Sequence, residues 1–154
     1  MTNHAIRPAT AADAGTLLSI CDASGLMGPE EMDYMRGEVG AWAAGAGDAV
    51  WLMDDGGAGA ALLHPEPMSD AVWNMLFVGV RMAARRTGVA TALLDAVEAA
   101  ARSGGGRILL IDTAGADDFA PARALYAKRG YEREAVIRGY YGDGVDRVTF
   151  RRDL

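Results

Sequence analysis

The chain has little that would cross-link it or draw it to a charged polymer. Its one cysteine, Cys21, cannot form an internal disulfide, which fits a reducing compartment and predicts a cytoplasmic protein. Its two histidines, His4 and His64, lie 60 residues apart without ligand spacing, so no metal site is expected. Lysine occurs once, at Lys128, among 15 basic residues; with the abundant Ala and Gly, this reads as a compositional bias rather than a functional signal. Twenty-one acidic residues leave a net charge of −6, which argues against long-range attraction to nucleic acid or an anionic membrane. No apolar run reaches the roughly 18 residues of a membrane-spanning helix. The first residues, Met1 to Pro8, carry His4 and Arg7 but no apolar signal core, so secretion is not indicated. There is no Ser/Pro linker, charge block or fixed-period repeat, and a single domain over 1–154 is expected.

What is present is ordinary globular material, 154 residues with 51% hydrophobic and 23% charged, enough for one core. Ala5–Arg7 reads as a first strand. Thr10-Ala-Ala-Asp13 resembles a capping arrangement for a helix carrying Leu17, Leu18 and Cys21. A second helix is predicted from Pro29, with Met32, Met35, Val39 and Trp42 recurring at helical spacing. Ala49–Met53 and Ala58–Leu63 are apolar runs joined by Asp54-Asp55-Gly56-Gly57, a hairpin signal. Pro65-Glu66-Pro67 ends the second of these strands, and Ala71–Val80 reads as a central strand. Thr87–Arg102 then places Val89, Leu93, Leu94 and Val97 on one helical face, with Asp95 and Glu98 elsewhere. Ser103 to Gly106 stops that helix, and Arg107–Asp112 follows as a buried strand. Strand, four-turn helix and strand make a right-handed crossover, so the two strands should be parallel. Pro121–Arg129 is a shorter helix capped by Gly130. Tyr131–Ile137 and Val145–Arg151 close the chain as an antiparallel pair, joined through Tyr140 to Gly144. The order predicts an α/β (α+β) layer fold with a mixed central sheet flanked by helices.

The turn from strand 71–80 into helix 87–102 carries the clearest chemistry. Small residues at Gly88 and Ala90 let a ligand approach the backbone. The helix start presents unpaired N–H groups and the positive end of its dipole. Arg85 and Arg86 add two guanidinium groups suited to phosphate oxygens. These features make a candidate pyrophosphate cradle, and an ordinary turn with solvated arginines is the plainer alternative. Other phosphate loops fail on order or composition. Gly-Lys-Ser/Thr is absent, Gly56 to Gly59 lie inside a hairpin, and Gly104 to Gly106 precede a strand rather than a helix.

Val80, Arg85, Gly88 and Ala90 fall on the acetyl-CoA motif of the GCN5-related N-acetyltransferase (GNAT) superfamily, Val-x-Pro-x-x-Arg/Gln-x-x-Gly-x-Gly/Ala, with Met82 replacing the proline. A second segment, Ala122-Arg-Ala-Leu-Tyr126-Ala-Lys-Arg-Gly130-Tyr131, resembles the later Ala-x-x-Leu/Phe-Tyr-x-x-x-Gly-Phe/Tyr of the same family. The two motifs stand about 40 residues apart in the order the family has them. Phe119 departs from the asparagine frequent seven residues before the tyrosine. The resemblance implies a GNAT-like fold with a V-shaped split between two parallel strands. Acetyl-CoA would lie in it as a co-substrate, its pantetheine paired to strand backbone like an added strand. Val78, Gly79 and Val80 on the strand would hold it together with Arg85, Arg86, Thr87, Gly88, Val89, Ala90 and Thr91 around the turn.

The resemblance also makes Tyr126 the general acid. An amine attacking a thioester expels a thiolate, and a tyrosine with a pKa near 10 keeps a proton to give it. A base must take a proton from the incoming ammonium. The central-strand position where relatives carry Glu or Asp is Asn74 here, so a water chain or a carboxylate such as Glu30, Glu31 or Asp70 would have to serve. Cys21 and the Met32, Met35, Trp42 stripe read as core, although in the family the first two helices also flank the acceptor pocket. Tyr140 and Tyr141 read as surface loop. The reading is direct acetyl transfer from acetyl-CoA to a primary amine of a small molecule or peptide, without a metal, nucleic acid or membrane, and with a homodimer left open. The alternatives are an acyl-CoA-binding sensor of the same fold and an α/β interaction domain without a CoA site.

Overall fold

The computed structural model describes residues 3–154. Strand β1 (Ile6–Pro8) leads through a 3-10 turn (Ala11–Asp13) into α1 (Ala14–Ala23) and α2 (Pro29–Ala43). Strands β2 (Val50–Asp54), β3 (Gly59–Pro65) and β4 (Val72–Val80) follow, then α3 (Val89–Ser103) and β5 (Ile108–Ala114). Helix α4 (Ala120–Lys128) and strands β6 (Glu132–Gly142) and β7 (Val145–Asp153) complete the chain. One seven-stranded mixed sheet results, ordered β1-β2-β3-β4-β5-β7-β6. Only β4 and β5 run parallel among these neighbours, as the crossover through α3 requires.

Alternation along β4 sends successive side chains to opposite faces and gives the sheet two covers. On one face Met75 joins Leu63, Leu109, Ile111 and Phe150 beneath Val89, Leu93, Leu94 and Val97 of α3 and Tyr126 of α4. On the other, Trp51, Met53, Ala60 and Leu62 pack under Leu17, Ile20 and Cys21 of α1 and Met32, Met35 and Val39 of α2, with Phe77 at the margin. Each of the larger aliphatic side chains fully buried here contributes about 1.5–3 kcal/mol. The reading of Cys21, Met32 and Met35 as core is therefore borne out, while Trp42, the third residue of that stripe, is only partly buried at its edge.

Several sequence expectations need correction. The Thr10–Asp13 box starts a 3-10 turn before the helix, with the Thr10 N–H donating to the Asp13 carboxylate at 2.8 Å; Leu18 is only partly buried. The long crossover helix begins at Val89 rather than Thr87. Glu98 lies within the packed interior, where the Tyr131 hydroxyl (2.7 Å) and Arg129 (3.0 Å) satisfy it; periodicity counted it as polar, but a paired carboxylate can be buried. The closing hairpin is longer than its apolar pattern suggests. β6 runs through Tyr140 and Tyr141 to Gly142, leaving Asp143 and Gly144 as the connection.

Two glycines matter for how closely these layers approach. β3 passes under α3 at Gly59, where a Cβ would stand 2.8 Å from the Gly79 carbonyl oxygen and 3.1 Å from Leu93 Cδ1. Gly106, on the return from α3 to β5, leaves room for Trp73, whose Cδ1 would be 2.6 Å from an added Cβ. Gly59→Ala should thus lower stability by about 1–3 kcal/mol through overpacking against backbone. Gly37→Ala, on the exposed surface of α2 with nothing within 4 Å of the new Cβ, should raise it by about 0.5–1 kcal/mol. Thermal unfolding of the two variants, with melting temperatures moving in opposite directions, checks the packing argument.

Candidate functional site

The parallel pair is short. β4 and β5 keep register from Val72 opposite Ile108 to Met75 opposite Ile111, and there the pairing ends. On its other side β4 stays paired with β3 up to Val80 opposite Gly59, but the register jumps between Leu62 opposite Phe77 and Leu63 opposite Met75. Leu76 is the extra residue, a bulge that bends its strand. Beyond it, the edge of β4 that faces β5 has no strand partner, while β5 continues against β7 to Ala114. The expected V-shaped split is present.

A cavity of about 420 Å³ opens beside that split. Val78 and Val80 line it from β4, Arg85, Arg86 and Gly88 from the turn, and Val89, Ala90 and Thr91 from the first turn of α3. Leu125 and Tyr126 close it from α4, with Pro121 and Ala122. Of the residues singled out in the sequence, the structure therefore gathers Tyr126 and eight of the ten candidate cofactor-binding positions around one space.

Gly79 and Thr87 stand outside the lining. Gly79 is buried in the strand, where a Cβ would meet the Phe77 ring at 2.3 Å. The Thr87 hydroxyl donates to the Ala84 carbonyl at 2.6 Å and lies 3.0 Å from Nε2 of His4, whose Nδ1 is 3.3 Å from Asp54. His4, which the sequence left without a role, thus ties the N-terminal segment to the turn.

The turn is shaped for close approach by an anion. Gly88 takes a left-handed conformation (φ +90°) as the residue before α3, a region open to glycine at no steric cost. The first helical amide to reach a carbonyl is that of Ala92, on Gly88. Among the described residues, no protein acceptor engages the amides of Val89, Ala90 and Thr91, so they point outward with the helix dipole behind them. Arg86 is also held left-handed (φ +64°), a strained state for a side-chain-bearing residue. Arg85 is partly committed, its Nη2 donating to the Ser24 carbonyl at 2.8 Å, which fastens the end of α1 to the turn. The donors, the small residues and the unpaired β4 edge together fit a pyrophosphate followed by an amide-bearing arm.

Tyr126 is 2% exposed and packs edge-on to Phe150 at 5.4 Å between ring centres. Among the described residues its hydroxyl finds no hydrogen-bond partner, and burial pushes its pKa above the ordinary value near 10. The phenol is therefore held protonated, with its donor free to meet a ligand.

Asn74 sits on the other face of β4, and its surroundings were not legible in the sequence. Its Nδ2 donates to Glu66 Oε1 at 2.8 Å and to Asp112 Oδ2 at 2.9 Å. Asp112 lies one residue past the end of the parallel pairing and also accepts from the Thr149 hydroxyl at 2.7 Å. In the sequence Asp112 reads as the end of an apolar strand; a lone carboxylate closing Ile108-Leu-Leu-Ile111 is the available signal. Of the carboxylates considered from sequence, Asp70 is exposed and faces Arg107 at 3.4 Å, while Glu30 and Glu31 line a separate cavity beneath α2.

The family model described as Acetyltransferase (GNAT) family matches residues 21–131. A GNAT-family protein from Desulfovibrio desulfuricans shares 27% identity and a TM-score of 0.88, covering 98% of this chain and 99% of that one. An N-acetyltransferase from Staphylococcus aureus Mu50 shares 18% identity at TM-score 0.76, over 99% of both chains. PaiA N-acetyltransferase from Thermoplasma acidophilum, solved in complex with coenzyme A, shares 14% identity at TM-score 0.73, over 99% of this chain and 100% of that one. A search of the curated proteins finds no match.

If the α3 amides hold a diphosphate, Gly88→Glu should raise the dissociation constant for acetyl-CoA at least tenfold, by placing a carboxylate beside the anion. Gly88→Asn, whose side chain tolerates the left-handed region, should bind within a few-fold of the parent. Titration calorimetry of both variants checks this, and retained affinity in the glutamate variant would remove the cradle.

Proposed function

The chain belongs to the acetyltransferase (GNAT) family, and from that premise we propose that it transfers an acetyl group from acetyl-CoA directly to a primary amine. The observation that carries this reading is the shared cavity: the unengaged amides of α3 and the buried Tyr126 hydroxyl face one space beside the parted strands. Acetyl-CoA would supply the acetyl group as a thioester, already activated toward attack.

In this reading the amides of Val89, Ala90 and Thr91, with Arg86, bind the pyrophosphate and set the depth of the coenzyme. The free edge of β4 from Leu76 to Val80 orients the arm and offers N–H groups to the thioester carbonyl as it gains negative charge. Asp112 takes the proton of the incoming ammonium from the opposite face, so a neutral amine attacks. Tyr126 donates to the sulfur as the carbon–sulfur bond breaks. A phenol is a weaker acid than a thiol, so its main contribution is a strong hydrogen bond to the departing thiolate. The products are an amide, the free thiol and one proton released to solvent.

The same reading places the protein in the cytoplasm, where buried Cys21, its thiol pushed up to about 11 by desolvation, stays reduced and inert. Among the described residues no helix is long and apolar enough to cross a membrane, and none of the His, Cys, Asp and Glu residues cluster as metal ligands do. Neither a metal nor a nucleic acid enters the proposed reaction.

Incubation with acetyl-CoA and a panel of amines, with free thiol followed over time, tests the proposal. A sensor would be thermally stabilised by acetyl-CoA yet release no thiol with any amine, and absence of stabilisation would remove the coenzyme site. Tyr126→Phe should lower kcat by about 10²-fold with acetyl-CoA affinity nearly unchanged; undiminished turnover would take Tyr126 out of the reaction. Because burial raises the phenol above its ordinary range, the parent enzyme should show no loss of activity from Tyr126 ionisation between about pH 8 and about pH 10.

A further inference from the structure

On the face of the sheet opposite the coenzyme cavity, the space under α2 is lined by charge of one sign over an apolar floor. A cavity of about 370 Å³ lies between α2 and the β4 bulge, with Met35, Leu62 and Phe77 beneath and Glu30, Glu31 and Glu38 above. Among the described residues none of these three glutamates is in an ion pair; Arg36, on the same helix, is bound to Asp33. A neighbouring cavity of about 450 Å³ shares Tyr34, Glu38, Leu62 and Leu76 with the first and extends to His64. Nε2 of His64 is 3.8 Å from Glu66, which accepts from Asn74, so the second cavity ends beside the carboxylates around Asn74.

A separate observation there asks for the same ligand chemistry. Asn74 is 4% exposed, and both of its N–H groups are given to carboxylates. Its Oδ1 is buried with no partner. An orphan amide oxygen flanked by two carboxylates lacks a positively charged hydrogen-bond donor. Arg147 lies 3.8 Å from Asp112, outside hydrogen-bond reach.

Resting on the acetyltransferase reading, we propose that the acceptor is a linear amine with at least two positive charges, a diamine or polyamine. The reacting amine sits by Asn74 and Asp112 at the parting of β4 and β5. The methylene chain runs over Leu76 and Phe77, and a distal ammonium is held by Glu31 and Glu38 on α2. A monoamine leaves those glutamates unmatched, and an amino acid brings a carboxylate against them.

The test compares kcat/KM with acetyl-CoA for butylamine, butane-1,4-diamine, spermidine, free lysine and a lysine-rich peptide. Expected is at least a tenfold preference for the diamine and spermidine over butylamine and lysine, shrinking as salt is raised. The double variant Glu31→Gln, Glu38→Gln should bring the diamine down to the level of butylamine while thermal stabilisation by acetyl-CoA persists. Butylamine, lysine or the peptide matching or exceeding the diamine overturns this proposal and leaves acetyl transfer intact. Stabilisation by acetyl-CoA without thiol release from any amine counts against the transferase reading instead. Titration with spermidine then decides the cation site, which is supported by salt-sensitive stabilisation that the double variant loses and overturned by its absence.

Discussion

The constraint on which the molecule depends is the parting of two parallel strands. β4 is bent by one extra residue, Leu76, against β3, and from there it can no longer follow β5. Pairing stops at Met75 and Ile111. A sheet interior that loses its partner leaves unpaired backbone groups, which are costly unless something else satisfies them. An amide-bearing ligand arm is chemically equivalent to the missing strand. The bulge is therefore the feature that turns a structural sheet into one with a ligand-shaped gap.

Everything around the gap keeps it in place. Gly59 lets β3 run directly beneath α3, so the helix start is fixed over the end of β4. Arg85 reaches the Ser24 carbonyl and Arg81 the Gly57 carbonyl and Ser19, fastening the turn to α1 and to the β2–β3 hairpin. His4 adds a third tie through Thr87. A turn held from several sides loses little conformational freedom when a ligand arrives, which favours binding. The left-handed backbone at Gly88 and Arg86 fits the same picture of strain carried where the chain is otherwise well supported.

The two sides of the gap differ in chemistry. The side under α3 and α4 sets helix amides, two arginines and the Tyr126 hydroxyl in a largely apolar lining that also holds Thr91 and one carboxylate, Asp118; its donors suit an anion and a thiolate leaving group. The side under α2 is acidic over Met, Leu and Phe side chains. Such opposite environments on either side of one opening suit the proposed transfer from an anionic coenzyme to an amine that arrives as a cation. In a chain whose net charge is −6, that separation comes from position and not from composition.

What the amino-acid sequence determined by itself was whatever depends on short spacing. The α3 pattern of Val89, Leu93, Leu94 and Val97 is a matter of helical period, the left-handed Gly130 after α4 of cap chemistry, and the parallel pair of the length of one crossover. The same holds for the order of the two motifs that carry Tyr126 and the turn. Only the tertiary structure decided the rest, because those features join residues far apart along the chain whose pairing no local period encodes. Asn74 meets Asp112 across 38 positions and Tyr131 meets Glu98 across 33. The Leu76 bulge is likewise a difference in register between two strands, visible only when both are laid side by side. Burial of a carboxylate such as Glu98 follows from partners brought in by folding, and until they arrive its charge argues for the surface.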